Sequence, residues 1–498
     1  MRDCIELALR NNLDLQIERY NTDIAEYGVQ GAYGVYDPTL AFEATHKYDD
    51  MPRYLVADKA NPDFPYKADS EVLGTGIKGK LPGSGLAYEL GARAVDFHNV
   101  RTDFNLTPED NLFFFGPFGG SSGTAGGFPF TAGVRHARYY YGEAGLSLRQ
   151  PLLKNAWIDV ERQQIKINKN NLHMSEEALR GAIMRTVTLV QLAYYDLIYA
   201  RENVKVQNQA IELANQLLTE TRARLRAGEL TPLDEQQAQV HLTTVQSDLF
   251  AAEQAFLEQQ NVVKQYIAGE FSSWRDMDIF PTENLLAVLE KPNRIQSWEN
   301  GLTRRSDVLQ LKLELERQNI ILKYDYSQLF PVLDLVGSIG VRSGDRDLGT
   351  AAGDIGDTRH PFYSFGAIFS IPLGNRAARN AHKASQAAYK QALTRMKRLE
   401  NNVLMQVDTA IKVMESSYKR VSSTKNARQY AEKVLQARQK ELEQGVKTNL
   451  GLLEAQTAIT TARSAEIRAL ADYNKARAQF TFNEGMTMEK YNLRLDLK

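Results

Sequence analysis

Gly74-Thr75-Gly76-Ile77-Lys78-Gly79-Lys80-Leu81 satisfies GxGxxG and comes close to a P-loop, so the first chemistry to weigh is phosphate binding. A P-loop needs Ser or Thr after its Lys to hold magnesium, and Leu81 stands there instead. Pro82-Gly83 also stops the helix whose N-terminus would cradle the phosphate. The seven His residues, His46, His98, His136, His173, His241, His360 and His382, form no HExxH or other close pair and read as solvated or core histidines. Cys4 is the single cysteine, so it has no intramolecular disulfide partner and brings no second soft ligand to a zinc ion. No GxSxG occurs. The expectation is a chain without catalytic residues, metal or cofactor.

The charge balance narrows the partners. Sixty Lys plus Arg against 61 Asp plus Glu give a formal net charge of -1, which leaves no basic excess for a phosphate backbone and excludes nucleic acid. An apolar fraction of 43% over 498 residues is ordinary globular composition. No run of 18 apolar residues is available for a transmembrane helix, whereas a membrane β-barrel hides from such averages because its strands are short and alternate. Met1-Arg2-Asp3-Cys4-Ile5 leads directly into an amphipathic pattern, with no basic n-region and apolar h-region, so the expectation is a cytosolic protein or a truncated start.

The elements that would position any site are duplicated. Leu9, Asp14 and Pro38 match Leu302, Asp307 and Pro331 at one offset of 293. Gly228, Thr231, Leu233, Ala238 and Gln239 match Gly445, Thr448, Leu450, Ala455 and Gln456 at an offset of 217. Ile183, Val190, Leu197, Val204, Ile211, Leu218 and Leu225 recur every seventh residue. Val407, Met414, Val421, Leu435 and Leu442 repeat that heptad, with Arg428 as the exception. The periodicity predicts helices over 3–32, 157–226, 232–268, 294–328, 375–444 and 450–484. The two long ones, at about 105 Å each, match two short ones placed end to end. Residues 1–268 and 294–485 are thus two structural repeats, joined by 269–293 and followed by a tail, 486–498.

Each repeat has two runs of period two, near 36–48 and 138–150, then 332–342 and 362–371, each about the ten residues needed to cross a membrane. Polar positions on them, Glu43, Thr45, Glu143, Ser147, Arg149, Asp334, Ser338, Arg342, Ser364 and Ser370, would share one face. Tyr139, Tyr140, Tyr141, Phe362 and Tyr363 sit near strand ends as interfacial aromatics would. A soluble half-buried sheet has the same alternation. Four strands and more than 300 helical residues do not fit one small sheet-covered core, which favours the membrane. Residues 49–137 form an insertion with a hairpin about Pro82-Gly83-Ser84-Gly85, read as a long surface or lumenal loop, with its part in a barrel left open.

The NNLDLQ opening, the QPLL strand exit and the paired turns RARLRAGELTPLDEQQAQ and ELEQGVKTNLGLLEAQTA, set in the duplicated order, resemble the TolC-type outer-membrane efflux proteins over nearly the whole chain. The resemblance implies a mainly α fold with membrane β. A homotrimer would form a 12-stranded barrel in outer-membrane lipid, four strands per protomer, continuous with a periplasmic coiled-coil α-helical barrel. It implies docking to a periplasmic adaptor protein and an inner-membrane RND pump or ABC exporter. One protomer leaves two sheet edges that lipid cannot satisfy, which is the physical reason for closure between chains. The rival readings are a soluble coiled-coil scaffold and a nucleotide-binding enzyme built on residues 74–81.

The helical tips are the second candidate site. Gly228 and Gly445 stand where a left-handed C-cap ends each long helix, and Gly228, Glu229, Leu230, Thr231, Gly445, Val446 and Thr448 make the turns that an adaptor would meet. Carried onto these positions, the resemblance makes Glu454 a pore-ring carboxylate and pairs Asp234 with Lys447 as a latch. Gly451 stands where the family can carry a second pore acid. Three converging carboxylates would favour cations. A capping box with Thr231 is the alternative for Asp234, a solvated helix face for Glu454, and a plain surface charge for Lys447.

Overall fold

The computed structural model describes residues 1–51, 66–99, 137–357, 360–444 and 449–493. They divide into two compact units: residues 1–25, 171–315 and 392–498 form one, and residues 26–170 and 316–391 the other.

The first unit is helical. It draws on α1 (Arg2–Asn11), α2 (Leu13–Tyr33), α3 (Val160–Arg226), α4 (Pro232–Ile267), α5 (Arg294–Arg304), α6 (Ser306–Ser327), α8 (Arg376–Glu443), α9 (Asn449–Asn483) and α10 (Thr487–Lys490). The heptad positions form its cores. Val187, Val190 and Leu197 of α3 pack with Ile5, Leu15, Val263 and Ile267, while Val403, Val407 and Met414 of α8 pack with Val308, Tyr473 and Phe480. Val190, Leu197 and Val407 are completely shielded from water, and each such side chain contributes about 1.5–3 kcal/mol of transfer free energy. Ala193, Ala200 and Ala214, also buried, let the helices approach closely.

Arg428, the charged residue in the second heptad, is held by Glu466 of α9 and by Glu432 at 3.0 Å, so its charge is paired where an apolar side chain would have packed. Helices expected to run unbroken over 3–32 and 294–328 are each interrupted once, at Asn12 and Arg305, which stand at the same offset of 293. Both residues are extended (ψ 124° and 131°). Asn12 caps the next helix by accepting from the Leu15 amide at 3.2 Å, and its own amide donates to the Tyr266 carbonyl at 3.2 Å.

The second unit carries one antiparallel sheet, β1 (Thr39–Met51), β2 (Tyr66–Lys80), β3 (Ala87–Asn99), β4 (Ala137–Pro151), β5 (Val332–Asp345) and β6 (Pro361–Ser370), in the order β1-β2-β3-β4-β5-β6. This corrects the expectation of four strands per chain; the hairpin expected about Pro82-Gly83-Ser84-Gly85 is present, but as part of the sheet instead of a surface or lumenal loop. The hairpin β2–β3 lies inside the sheet, paired with β1 on one side and β4 on the other. Residues 52–65 and 100–136 of that insertion lie outside the described residues. A short helix unannounced by the sequence, α7 (Leu348–Gly356), links β5 to β6. Asp347 caps it by accepting from the Thr350 amide at 2.9 Å, and Ile355 lies over Gly142 of β4.

Candidate functional site: the sheet faces and the hairpin tips

The strand registers put Glu43, Glu143, Arg149, Asp334 and Arg342 on one face of the sheet. Glu43 lies opposite Gly74, Gly74 opposite Arg93, Arg93 opposite Glu143 and Glu143 opposite Arg342, so one row crosses five strands with acids and bases alternating. Glu143 is buried, and its Oε2 accepts from the Tyr141 hydroxyl at 2.6 Å and from Arg342 Nε at 3.3 Å. In a second row Lys78 faces Glu89, followed by Ser147, Ser338 and Ser364. Closer to the helices, Arg149 Nε donates to the buried Asp334 at 2.8 Å. Charges shielded from water are tolerable only when paired in this way.

Between the first two rows run Gly76, Gly91, Gly145 and Gly340, ending at Phe362. The Phe362 ring covers Gly340, where a Cβ would collide with the Ala144 carbonyl oxygen and meet the ring at 2.6 Å. Arg342 lies 4.2 Å above the same ring. Phe362 and Tyr141 therefore turn to the polar face, not to an interfacial belt as expected from their places near strand ends.

The opposite face is apolar and open. Phe42 is 77% exposed and Phe365 87%, and Leu40, Leu73, Ile77, Leu90, Ile339, Tyr363 and Phe369 are exposed with them. Toward the loop ends this face turns polar: His46 stands 3.4 Å from Asp69, and Arg138 donates to Asp96 at 2.9 Å. Polar side chains enclosed and apolar ones open is the reverse of a soluble sheet, and it is the arrangement that hydrocarbon on the outside and water on the inside select.

At the tips, Gly228 (φ 80°) ends α3 in a Schellman turn. Its amide donates to the Leu225 carbonyl and the Glu229 amide to the Arg224 carbonyl, both at 3.0 Å. Leu230 is half-buried and Thr231 is the N-cap of α4. Asp234 Oδ2 accepts from the Thr231 amide at 2.9 Å and from its hydroxyl at 2.6 Å, the capping role weighed for it above. Glu454 is exposed on α9. Gly445, Val446, Lys447 and Thr448 lie outside the described residues, so the Asp234–Lys447 pair does as well. Within the packed hairpins, burial holds the His241 imidazole below its ordinary pKa, against the opposing effects of its hydrogen bond with Gln456 and the charge of Asp248.

No helix among the described residues is long and apolar enough to cross a membrane. The sequence profile of the outer membrane efflux protein family matches residues 120–269 and 299–482. The chain belongs to that family. Outer membrane efflux protein BepC of Brucella suis is 22% identical over 332 residues, 66% of this chain and 69% of BepC. The CmeC outer membrane channel of Campylobacter jejuni superposes with a TM-score of 0.66 at 13% identity, covering 100% of this chain and 90% of CmeC. The open state of the Neisseria gonorrhoeae MtrE outer membrane channel gives 0.63 at 14%, with the same coverage. A membrane protein from Pseudomonas aeruginosa gives 0.67 at 16%, over 97% of this chain and 92% of that one. The fold is therefore the duplicated TolC-type fold that the sequence resembles.

In this outer membrane efflux protein two tip contacts escaped the sequence reading. Asn449, at the first turn of α9, donates from Nδ2 to Thr221 Oγ1 of α3 at 2.9 Å, with both residues buried. Arg224 reaches from α3 to the Leu442 carbonyl of α8 at 2.7 Å and is steadied by Glu220 at 2.6 Å. These bonds tie the two helical hairpins of one chain together. The partner of Thr221 lies 228 residues away, beyond the reach of any local period.

Proposed function

We propose that this protein is the outer-membrane duct of a tripartite efflux or type I secretion system, a passive conduit to the exterior that opens at its helical tips. The observation that carries the reading is the inverted sheet: charge-paired rows on the enclosed face, bare apolar side chains on the other, and unpaired edges at β1 and β6. Unpaired edges cannot stay in lipid, so copies of the chain join edge to edge in a homotrimer. The charged rows, Glu43 to Arg342 and Arg149 with Asp334, then line water. The hairpins continue as a periplasmic coiled-coil tunnel. The turns at Gly228–Thr231 and 445–448 meet a periplasmic adaptor, and an RND pump or ABC exporter in the inner membrane supplies the energy.

At the tip, three copies of Glu454 form a carboxylate ring, and the proposed latch pairs Asp234 with Lys447. The Thr221–Asn449 and Arg224–Leu442 bonds support the closed arrangement. Reconstitution into planar bilayers tests the whole. The protein should require detergent for extraction and give discrete conductance steps, and E454Q should reduce cation preference as read from the reversal potential. A protein that remains in the supernatant without detergent and leaves bilayers silent would refute the channel.

A further inference from the structure

We infer that the β2–β3 hairpin supplies two extra barrel staves, so that three copies of the six-stranded sheet close as 18 strands instead of 12, with Leu73, Ile77 and Leu90 against acyl chains. This rests on the channel reading above and goes beyond it in strand number, bore and lipid contact. The hairpin is not an appendage on a four-stranded sheet. β1 and β4 are not paired with each other: β1 pairs with β2 over 13 residues, β2 with β3 over 13, and β3 with β4 over 13. Removing the hairpin from the sheet as it stands would leave β1 with no partner in its own chain.

The hairpin also continues both faces without a break. On the open face Leu40 lies opposite Ile77, Ile77 opposite Leu90, and Leu90 opposite Leu146. On the enclosed face Lys78 meets Glu89, and Arg93 stands between Gly74 and Glu143. Strands of 15 and 13 residues exceed the roughly ten that cross a bilayer at a tilt.

Its turn is fastened where β4 hands over to α3. Lys80 Nζ pairs with Glu161 of α3 at 2.5 Å, Arg162 donates to the Gly83 carbonyl at 2.8 Å, and Gln150 donates to the Ser84 carbonyl at 3.0 Å. Pro82-Gly83-Ser84-Gly85 is therefore held at the helical end of the sheet, which leaves the open ends of β2 and β3 to the opposite side of the membrane.

The occupant of each free edge is a second copy of this chain, β1 of one against β6 of the next. Strands about 4.8 Å apart and tilted by about 40° give a barrel about 36 Å across its backbone for 18 strands and about 24 Å for 12, a ratio of about 1.5.

The test uses the full-length trimer with C4S, single cysteines in place of Leu73, Leu90, Phe365 or Arg93, a fluorescent label on each, and vesicles containing lipids spin-labelled along the acyl chain. Labels at L73C and L90C should lose as much fluorescence as the label at F365C on β6, while R93C on the enclosed face keeps its signal. Loss at F365C without loss at L73C and L90C would overturn the inference and leave the channel standing. No loss at F365C would bring down the channel reading itself. Should the cysteine variants fail to assemble, imaging of the unmodified trimer in lipid discs decides: a barrel about 36 Å wide supports the inference, and one about 24 Å wide overturns it.

Discussion

Replacing Thr221 with Val is the most direct probe of the tips. Thr221 is fully buried, so the swap of a hydroxyl for a methyl keeps shape and packing and removes only the acceptor for Asn449 Nδ2, now at 2.9 Å. Asn449 is itself 1% exposed, and water cannot replace the lost bond while the hairpins stay together. A buried donor left unpaired costs about 1–3 kcal/mol. If the amide becomes hydrated when the hairpins part, that cost falls on the closed state alone and moves the closed-to-open equilibrium by about 5- to 150-fold. Arg224 still holds the Leu442 carbonyl, so the tip loosens without coming apart and the shift belongs at the lower end of that range. Single-channel recording in planar bilayers should show T221V open for a larger fraction of time than the parent. T221S, which keeps the hydroxyl, should match the parent, and T221V combined with N449L should return toward it because neither partner is then left wanting. Equal gating in T221V and T221S would refute the reasoning, as would a double variant more open than T221V.

Gly228 holds φ 80° in the Schellman turn, so G228A should destabilise the first hairpin by about 1–2 kcal/mol while G228N loses less, measured as trimer melting temperature. Arg428 balances Glu466 and Glu432 in a heptad position. R428L alone should therefore lower the melting temperature, and R428L with E466L should recover part of the loss, giving a nonzero coupling in a double-mutant cycle. Burial depresses the His241 pKa in the folded protein, so the unfolded chain binds the proton more readily. The stability contributed by neutral His241 is present above its ordinary value of 6.5 and declines as pH falls through that value toward the lower folded one. H241Q should flatten the dependence of melting temperature on pH in that window, and an unchanged slope would rule the residue out as its source.

The parts of the fold legible in the sequence are those that a local period encodes. Val190, Leu197, Val407 and Met414 recur every seventh residue because one helical face meets another, and Leu333, Asp334, Leu335 alternate because a strand has two faces. The hairpin of β2 and β3 was legible at Pro82-Gly83-Ser84-Gly85, but its place inside the sheet was not, because choosing β1 and β4 as partners is a long-range decision. Asn12 and Arg305 break their helices singly inside patterns that otherwise continue, and only their common offset of 293 marks them as the same joint.

Three polar residues at core or buried positions are halves of pairs. Arg428 interrupts a heptad and meets Glu466, Thr221 takes a core position and meets Asn449, and Glu143 is buried in a sheet and meets Arg342. A buried polar group without a partner is costly, so each of these three is matched by a second residue elsewhere in the chain. Those second residues carry the long-range part of the structure. They hold α3 against α9, α8 against α9, and β4 against β5, contacts between segments that the repeat pattern describes only separately.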